Sequence, residues 1–139
     1  MVKTGEIALS TAGNGQVVNI TDAVQTVVQE SGLQAGIATV FCPSATSGVT
    51  TIEYESGAIH DLQRLFDQIA PPDQEYQHNW RWGDGNGHSH VRAALLGPSL
   101  TVPFVAGKLT LGTWQQIIFI DFDVRPRQRR LIVQMIGEA

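Results

Sequence analysis

The sequence is poor in the features that mark several large classes of protein. It has one cysteine, Cys42, so no disulfide can form within the chain. That usage is typical of a reducing compartment, and we expect a cytoplasmic location. The first residues lack a basic segment followed by an apolar run, so we expect no secretory signal, and no apolar run approaches the length of a membrane span. Low-complexity segments and internal repeats are also missing, so a disordered or solenoid chain is not expected.

Charge is sparse as well. Charged residues make up 16% of the chain and the formal net charge is -4, which argues against nucleic acid as the main partner. What is present is a 42% share of apolar residues and 14 glycines. A chain of 139 residues with this composition can bury a core of its own, so we expect one domain over residues 1–139, with many tight turns.

Short runs of β-forming residues alternate with glycine-rich turns along most of the chain. Helical spacing of apolar residues predicts one helix that begins at Thr21 and stops near Gly32. A second helix is predicted over residues 57–69 with Ser56 as its cap, and a short third one after Asn86. Residues 73–85 show no clear period and are predicted to be a functional loop. The predicted fold is α+β, with mostly antiparallel strands, two longer helices and one short helix. The strands are predicted at 2–10, 17–20, 36–41, 49–55, 100–104, 108–111, 113–122 and 129–136.

Three of the four histidines, His78, His88 and His90, lie in the stretch from Tyr76 to Gly97. Neutral imidazoles are ligands for transition metals, and three of them with an open position are typical of a catalytic site. His88 and His90 point the same way only in an extended segment, since in a helix they diverge by roughly 200°. A site made by all three therefore requires the helix to begin at or after His90. The alternative is one surface histidine, one core histidine and a capping interaction.

Two further features point to anion binding. The turn containing Gly85 and Gly87 feeds a predicted helix N-terminus, where free N–H groups attract phosphate. The alternative, which the sequence alone favours, is an ordinary turn. Arg127 and Arg129 share one face of the last predicted strand and could grip phosphate oxygens. Solvated surface arginine, or pairing with Asp121 and Asp123, is the alternative.

Scattered short motifs resemble those of one known family. Thr46-Ser47-Gly48-Val49-Thr50 with Glu53 is followed by Asp61-Leu62, Tyr76-Gln77-His78 and Asp84-Gly85-Asn86 with His90. Gly97-Pro98-Ser99, Val102-Pro103 and the string Gly107–Gln115, which contains Leu-Gly-Thr-Trp-Gln, come next, and then Asp123 with Pro126-Arg127 and Arg129. Over nearly its whole length the chain resembles the YjbQ-like family, also called the secondary thiamine-phosphate synthase family. One departure is Ser44, where many members carry histidine, and His88 could replace that imidazole.

The resemblance implies a compact fold of two packed sheets that assembles as a homotrimer. It also implies a site around His78 and His90, with Asn86, Glu53 and the arginines as further candidates. The implied activity joins a pyrimidine pyrophosphate to a thiazole phosphate, with a divalent cation, zinc or magnesium, stabilising phosphate charge. Two alternatives stay open at this point. One is a metal- or ligand-binding trimer without turnover, and the other is a structural trimer whose histidines only lie at an interface.

Overall fold

The computed structural model describes all residues from 1 to 139 and consists of two antiparallel sheets and four helices. This confirms the predicted α+β fold. The strands are β1 (Val2–Thr11), β2 (Gln16–Asn19), β3 (Ala35–Phe41), β4 (Ser47–Ile52), β5 (Ser99–Val105), β6 (Lys108–Leu109), β7 (Gln116–Asp121) and β8 (Arg127–Glu138). The helices are α1 (Thr21–Glu30), α2 (Ser56–Ile69), α3 (Gln77–Trp82) and α4 (Gly87–Leu96).

The strands form a five-stranded sheet in the order β1-β8-β3-β5-β6 and a three-stranded sheet in the order β2-β7-β4. Strand β8 lies inside the larger sheet, paired with β1 on one side and β3 on the other. Its Leu131, Val133 and Met135 are buried, while Gln134 and Ile136 between them are exposed. This alternation shows that one face of the larger sheet covers the core and the other faces outward.

Strand β7 is the central strand of the smaller sheet, and every residue from Ile117 to Asp121 is buried. Both of its edges are paired, with β2 and β4. Its side chains contribute to two apolar clusters. One contains Ile117 and Phe119 and fills the space between the sheets and α1, and the other contains Ile118 and Ile120 and lies under α2 and α4.

The helix N-termini differ from the predicted caps. The carboxylate of Glu55, not Ser56, accepts hydrogen bonds from the N–H groups of Gly57 and Ala58 at the start of α2. Thr21 is the first residue of α1, and its Oγ1 accepts from the Ile117 N–H at 2.8 Å instead of capping the helix.

The segment 73–85 contains the short helix α3, so it is not the loop that its lack of period predicted. Helix α3 ends at Gly83, which adopts a left-handed conformation with φ of 71°. The α3–α4 connection, residues 83–86, turns the chain back so that the two helices are neighbours. None of the helices combines the length and the apolar character needed to cross a membrane.

Candidate functional site

Helices α3 and α4 meet through a close contact between their first turns. The side-chain Oδ1 of Asn79 accepts a hydrogen bond from the Gly87 N–H at 2.8 Å. A Cβ atom at position 87 would lie 2.5 Å from the Cβ of Tyr76, so only glycine permits this approach. The contact fixes the first turn of α3 against the first turn of α4.

This arrangement brings His78 and His90 together. Their ring centroids are 4.4 Å apart and the ring planes are inclined at 47°. Both residues are half-buried, and the Nδ1 of His78 is buried without a hydrogen-bond partner. Asp84 Oδ1 lies 3.7 Å from that nitrogen, which is beyond hydrogen-bond length and leaves a weak electrostatic contact. The Nδ1 of His78 is therefore a buried polar atom whose hydrogen-bonding capacity the protein does not use.

His88 does not join the pair, because α4 begins at Gly87 and both His88 and His90 lie within the helix. A metal site made by all three histidines required the helix to begin at or after His90, so that site is not formed. His88 is buried and packs near Tyr76, with ring centroids 6.3 Å apart, and its Nδ1 has no partner. Burial and, next, the positive charge of Arg92 hold the pKa of His88 below its ordinary value.

The residues present fit a metal ion only in part. His78 and His90 supply two adjacent imidazoles, but no group of three or more His, Cys, Asp or Glu side chains is arranged to hold a metal ion. A three-ligand centre of the kind that catalytic zinc uses is therefore not formed within one chain. We derive no chemical step through a metal.

Asn86 connects the histidines to a buried ionic cluster. Its Nδ2 donates to Asp123 Oδ1 at 3.4 Å, and its own Oδ1 is buried without a partner. Asp123 also accepts from Arg127, through Nε at 3.0 Å and Nη2 at 2.7 Å. Arg127 is thus held in a two-bond ion pair beside the start of α4.

Asp121 and Arg129 form the second ion pair of the cluster. The Nε of Arg129 donates to Asp121 Oδ2 at 2.8 Å and its Nη2 to Oδ1 at 2.9 Å. Nη1 of Arg129 donates to Ser44 Oγ at 2.9 Å, and Nη2 also reaches Thr46 Oγ1 at 2.8 Å. Asp121 is fully buried and takes a further bond from Thr11. Pairing with aspartate, which the sequence left as the alternative for these arginines, is what the structure shows.

Hydrogen bonding controls the ionisation of the cluster. Burial alone would raise the pKa of Asp121, but bonds from Arg129, Thr11 and the Asp123 N–H outweigh it and leave that pKa below its usual value. The pKa of Asp123 is likewise lowered, because bonds from the Val124 N–H and Arg127 exceed the effect of burial. The Asp121 carboxylate in turn raises the pKa of Arg129. Asp121, Asp123 and Arg129 therefore stay charged near neutral pH.

Two cavities adjoin this cluster. One of about 240 Å³ lies beside His90 and is lined by Ser44, Ala45 and Ser47 on its other side. The second, of about 230 Å³, is lined by Arg129 and Arg130 and shares Ser44 and Ser47 with the first. Ser47 Oγ is buried between them without a hydrogen-bond partner. The hydroxyl-bearing loop 44–47 therefore separates the histidine from the arginine.

The remaining site predictions fall elsewhere. Glu53 is exposed and lines a depression with Tyr54 and Trp114 that shares no lining residue with the cavity beside His90. The Gly87 N–H is already bound to Asn79, whereas Gly85 is exposed with φ of 67°. The sequence did not indicate that the hydroxyls of Ser44 and Thr46 accept hydrogen bonds from Arg129. Only long-range pairing of the strands brings them together.

Comparisons with known proteins agree with one another. The family described as UPF0047 protein YjbQ-like matches residues 5–138. A UPF0047 protein of Methanothermobacter thermautotrophicus is 39% identical, covering 99% of this chain and 94% of its own. UPF0047 protein YugU of Bacillus subtilis is 34% identical, covering 99% of this chain and 100% of its own.

Solved structures match equally well. The crystal structure of a YbjQ-like protein of unknown function from Sulfolobus solfataricus superimposes with a TM-score of 0.94, at 33% identity and 99% coverage of both chains. An uncharacterized conserved protein of the same family from Clostridium acetobutylicum gives 0.87 at 39% identity, covering 94% of this chain and 98% of its own. Sequence and fold agree over almost the full length, and the chain belongs to the YjbQ-like UPF0047 family.

Proposed function

We propose that this protein binds a phosphorylated small molecule at the His78–His90 pair. The observation that carries the proposal is the pair itself, two half-buried imidazoles 4.4 Å apart beside a cavity that His90 lines. Imidazole N–H groups are donors for phosphate oxygens, and the adjacent cavity leaves room for the body of the ligand. Ser44 and Ser47 on its far wall would contact the same ligand.

The reaction class that we propose is the one implied by the family resemblance, the union of a pyrimidine pyrophosphate with a thiazole phosphate. A bond forms between the thiazole nitrogen and the pyrimidine methylene carbon, and the bond from that carbon to the pyrophosphate oxygen breaks. His78 and His90 would donate hydrogen bonds to the departing pyrophosphate, where negative charge develops. Asn86, between the pair and Asp123, would act as a positioning residue.

The test is turnover of the two thiamin precursors, with thiamin phosphate measured by fluorescence after oxidation. His78→Ala and His90→Ala are expected to lower the rate by about 100-fold or more, the usual contribution of a positioned acid or base. His60→Ala is the matched control, because His60 is an exposed histidine on α2 that contacts only Asp61. The proposed reaction would be refuted if the wild type formed no product above background, or if all three variants had equal rates.

A second candidate is a binding protein without turnover, and one observation favours it. Arg127 and Arg129 are both paired with aspartate, so little of their charge is free to stabilise a transition state. In that case calorimetric titration shows pyrophosphate binding that depends on His78 and His90, and no product forms. Arg127→Ala is expected to weaken that binding by about 1.5–3 kcal/mol if its guanidinium reaches the ligand, and unchanged affinity would remove it from the site.

We also propose that a divalent metal ion assists binding of the phosphate. His78 and His90 would hold the ion. They favour zinc over magnesium, because imidazole is a poor magnesium ligand. The charge of the ion would neutralise the phosphate. Metal analysis of protein purified without an affinity tag is expected to find zinc that is lost in His90→Ala. Equal metal content in the variant and the wild type would contradict this assignment.

A further inference from the structure

A separate cavity of about 190 Å³ lies between α2, α4 and the turn at Asn14. It shares no lining residue with the cavities beside His90 and Arg129. Its apolar wall consists of Leu62 and Phe66 from α2 with Ile120 and Phe122. The rings of Phe66 and Phe122 meet edge to face, with centroids 4.8 Å apart. For comparison, an engineered apolar cavity of roughly 150 Å³ binds benzene.

The polar side of this cavity is formed by Arg92, one of the few charged residues that the fold buries. Only 6% of the residue is exposed. Its Nε donates to the Ala70 carbonyl oxygen at 3.0 Å and its Nη2 to Asp67 Oδ1 at 3.0 Å. Nη1 makes no hydrogen bond within the protein, yet it is not sealed from solvent. A guanidinium carries five N–H donors, so three of the five are left without an acceptor.

The contact between α4 and α2 does not by itself explain why an arginine is buried at position 92. The bond to Ala70 ties α4 to the end of α2, and Nε is enough for that contact. Asp67 balances the charge only weakly, because 65% of its side chain is exposed and solvent screens it. A buried cation with unused donors beside an apolar wall is the arrangement that binds the charged end of an amphipathic ligand.

The rim of the cavity adds groups that have no partner inside the protein. Asn14 is exposed, its side-chain amide makes no hydrogen bond, and its backbone is held with φ of 56°. Gln63 donates through Nε2 to the Gly15 carbonyl at 3.1 Å, which leaves its Oε1 free. The Asn14 amide could therefore donate a second hydrogen bond to an anion held by Arg92.

We infer that this cavity is a binding site for a small aromatic carboxylate. The carboxylate accepts hydrogen bonds from Arg92 Nη1 and from the Asn14 amide, and the ring packs on Phe66 and Phe122. The polar groups and the apolar wall line the same partly open cavity, which fits a molecule that carries both properties. This site is independent of the histidine pair and of the function proposed for it.

The test uses benzoate as the probe and benzyl alcohol as its uncharged counterpart, followed by protein-detected NMR. Benzoate is expected to bind saturably, with shifts at Phe66 and Phe122, at a Kd in the millimolar range usual for so small a ligand. Benzyl alcohol is expected to bind about tenfold more weakly, because it cannot use the charge of Arg92. Arg92→Met is expected to abolish benzoate binding.

Arg92→Met could also disturb α4, so a second variant leaves the core intact. Asn14→Asp adds a negative charge at the rim and tolerates the left-handed backbone, and Asn14→Gly is its neutral control. Asn14→Asp is expected to bind benzoate several-fold more weakly than Asn14→Gly. Equal affinities in these two variants, no saturable binding to the wild type, or loss of binding in His78→Ala would each overturn the assignment.

Discussion

At the scale of single residues, His88 shows how helix position decides the role of a side chain. It stands two residues before His90, and the sequence allowed both to reach one ion. Because α4 already includes His88, its ring turns into the protein while His90 stays beside His78. The sequence identified the stretch from Tyr76 to Gly97 as the site, and two of its three histidines do meet, His78 and His90. It could not give the first residue of the helix, since Asn79 and Tyr76 fix that point through contacts across a turn.

The lowered pKa of His88 makes stability depend on pH. Folded His88 resists protonation, whereas the unfolded side chain takes up a proton near its ordinary pKa of about 6.5. The free energy of unfolding should therefore fall as the pH drops below that value, and should not change on this account above it. Urea unfolding between pH 5 and pH 7.5 is expected to show a flatter pH dependence in His88→Gln. An identical slope in the wild type and the variant would contradict the prediction.

The Asp121–Arg129 pair gives a second residue-scale prediction. Asp121 is fully buried, so Arg129→Met leaves a charge in the interior without its main partner. The expected loss of stability is about 3–5 kcal/mol, measured by urea unfolding at pH 7. Arg130→Met is the control, because 70% of that side chain is exposed and it reaches only Glu6, at 3.8 Å. A loss in Arg129→Met no larger than that in Arg130→Met would show that the pair is dispensable.

At the scale of elements, the strands, the two longer helices and the short helix α4 were predicted, whereas the short helix α3 was not. The apolar alternation of β8 follows from core burial and is visible in the sequence. The apolar stripe of α2 is visible too, although Phe66 is its only buried residue. Helix α3 has six residues and no buried side chain, so it leaves no periodic signal. Its existence depends on the contact with α4, which no local pattern encodes.

Gly87 is the element-scale position to test. An alanine there would place its Cβ 2.5 Å from that of Tyr76, and α3 and α4 would have to separate. Gly87→Ala is expected to destabilise the protein by about 1–3 kcal/mol and to weaken pyrophosphate binding, since His78 moves away from His90. Gly57→Ala is the matched control, because its Cβ meets only the flexible end of Glu55. Unchanged thermal stability in Gly87→Ala would show that the two helices are not held by this contact.

At the scale of the whole molecule, the outward face of the larger sheet carries exposed apolar side chains around the polar pair of Thr39 and Thr101. Ile37, Phe41, Val105 and Ile136 are all exposed there, and Ile37 pairs directly with Ile136. An apolar patch of this kind on a sheet is typical of an interface between subunits. Strand β7, which is also apolar, is by contrast buried inside one chain.

We therefore expect this face to join copies of the chain. Light scattering is expected to return three times the mass of one chain for the wild type, and a smaller mass for Ile37→Lys, since a charge on this face opposes its burial. Leu65→Lys, which changes an exposed apolar residue on α2, should leave the assembly intact. A monomer mass for the wild type at micromolar concentration would refute the trimer.

The cluster of Asp121 and Arg129 has one more consequence, which concerns how β8 aligns with its neighbours. Side chains alternate along a strand, so a slip of one residue would turn Arg129 outward and bring Arg130 to face buried Asp121 from a shifted position. The same slip would expose Leu131 and Val133. The ion pair and the apolar packing therefore select the same alignment, and the value of the pair to the protein is uniqueness of pairing as much as stability.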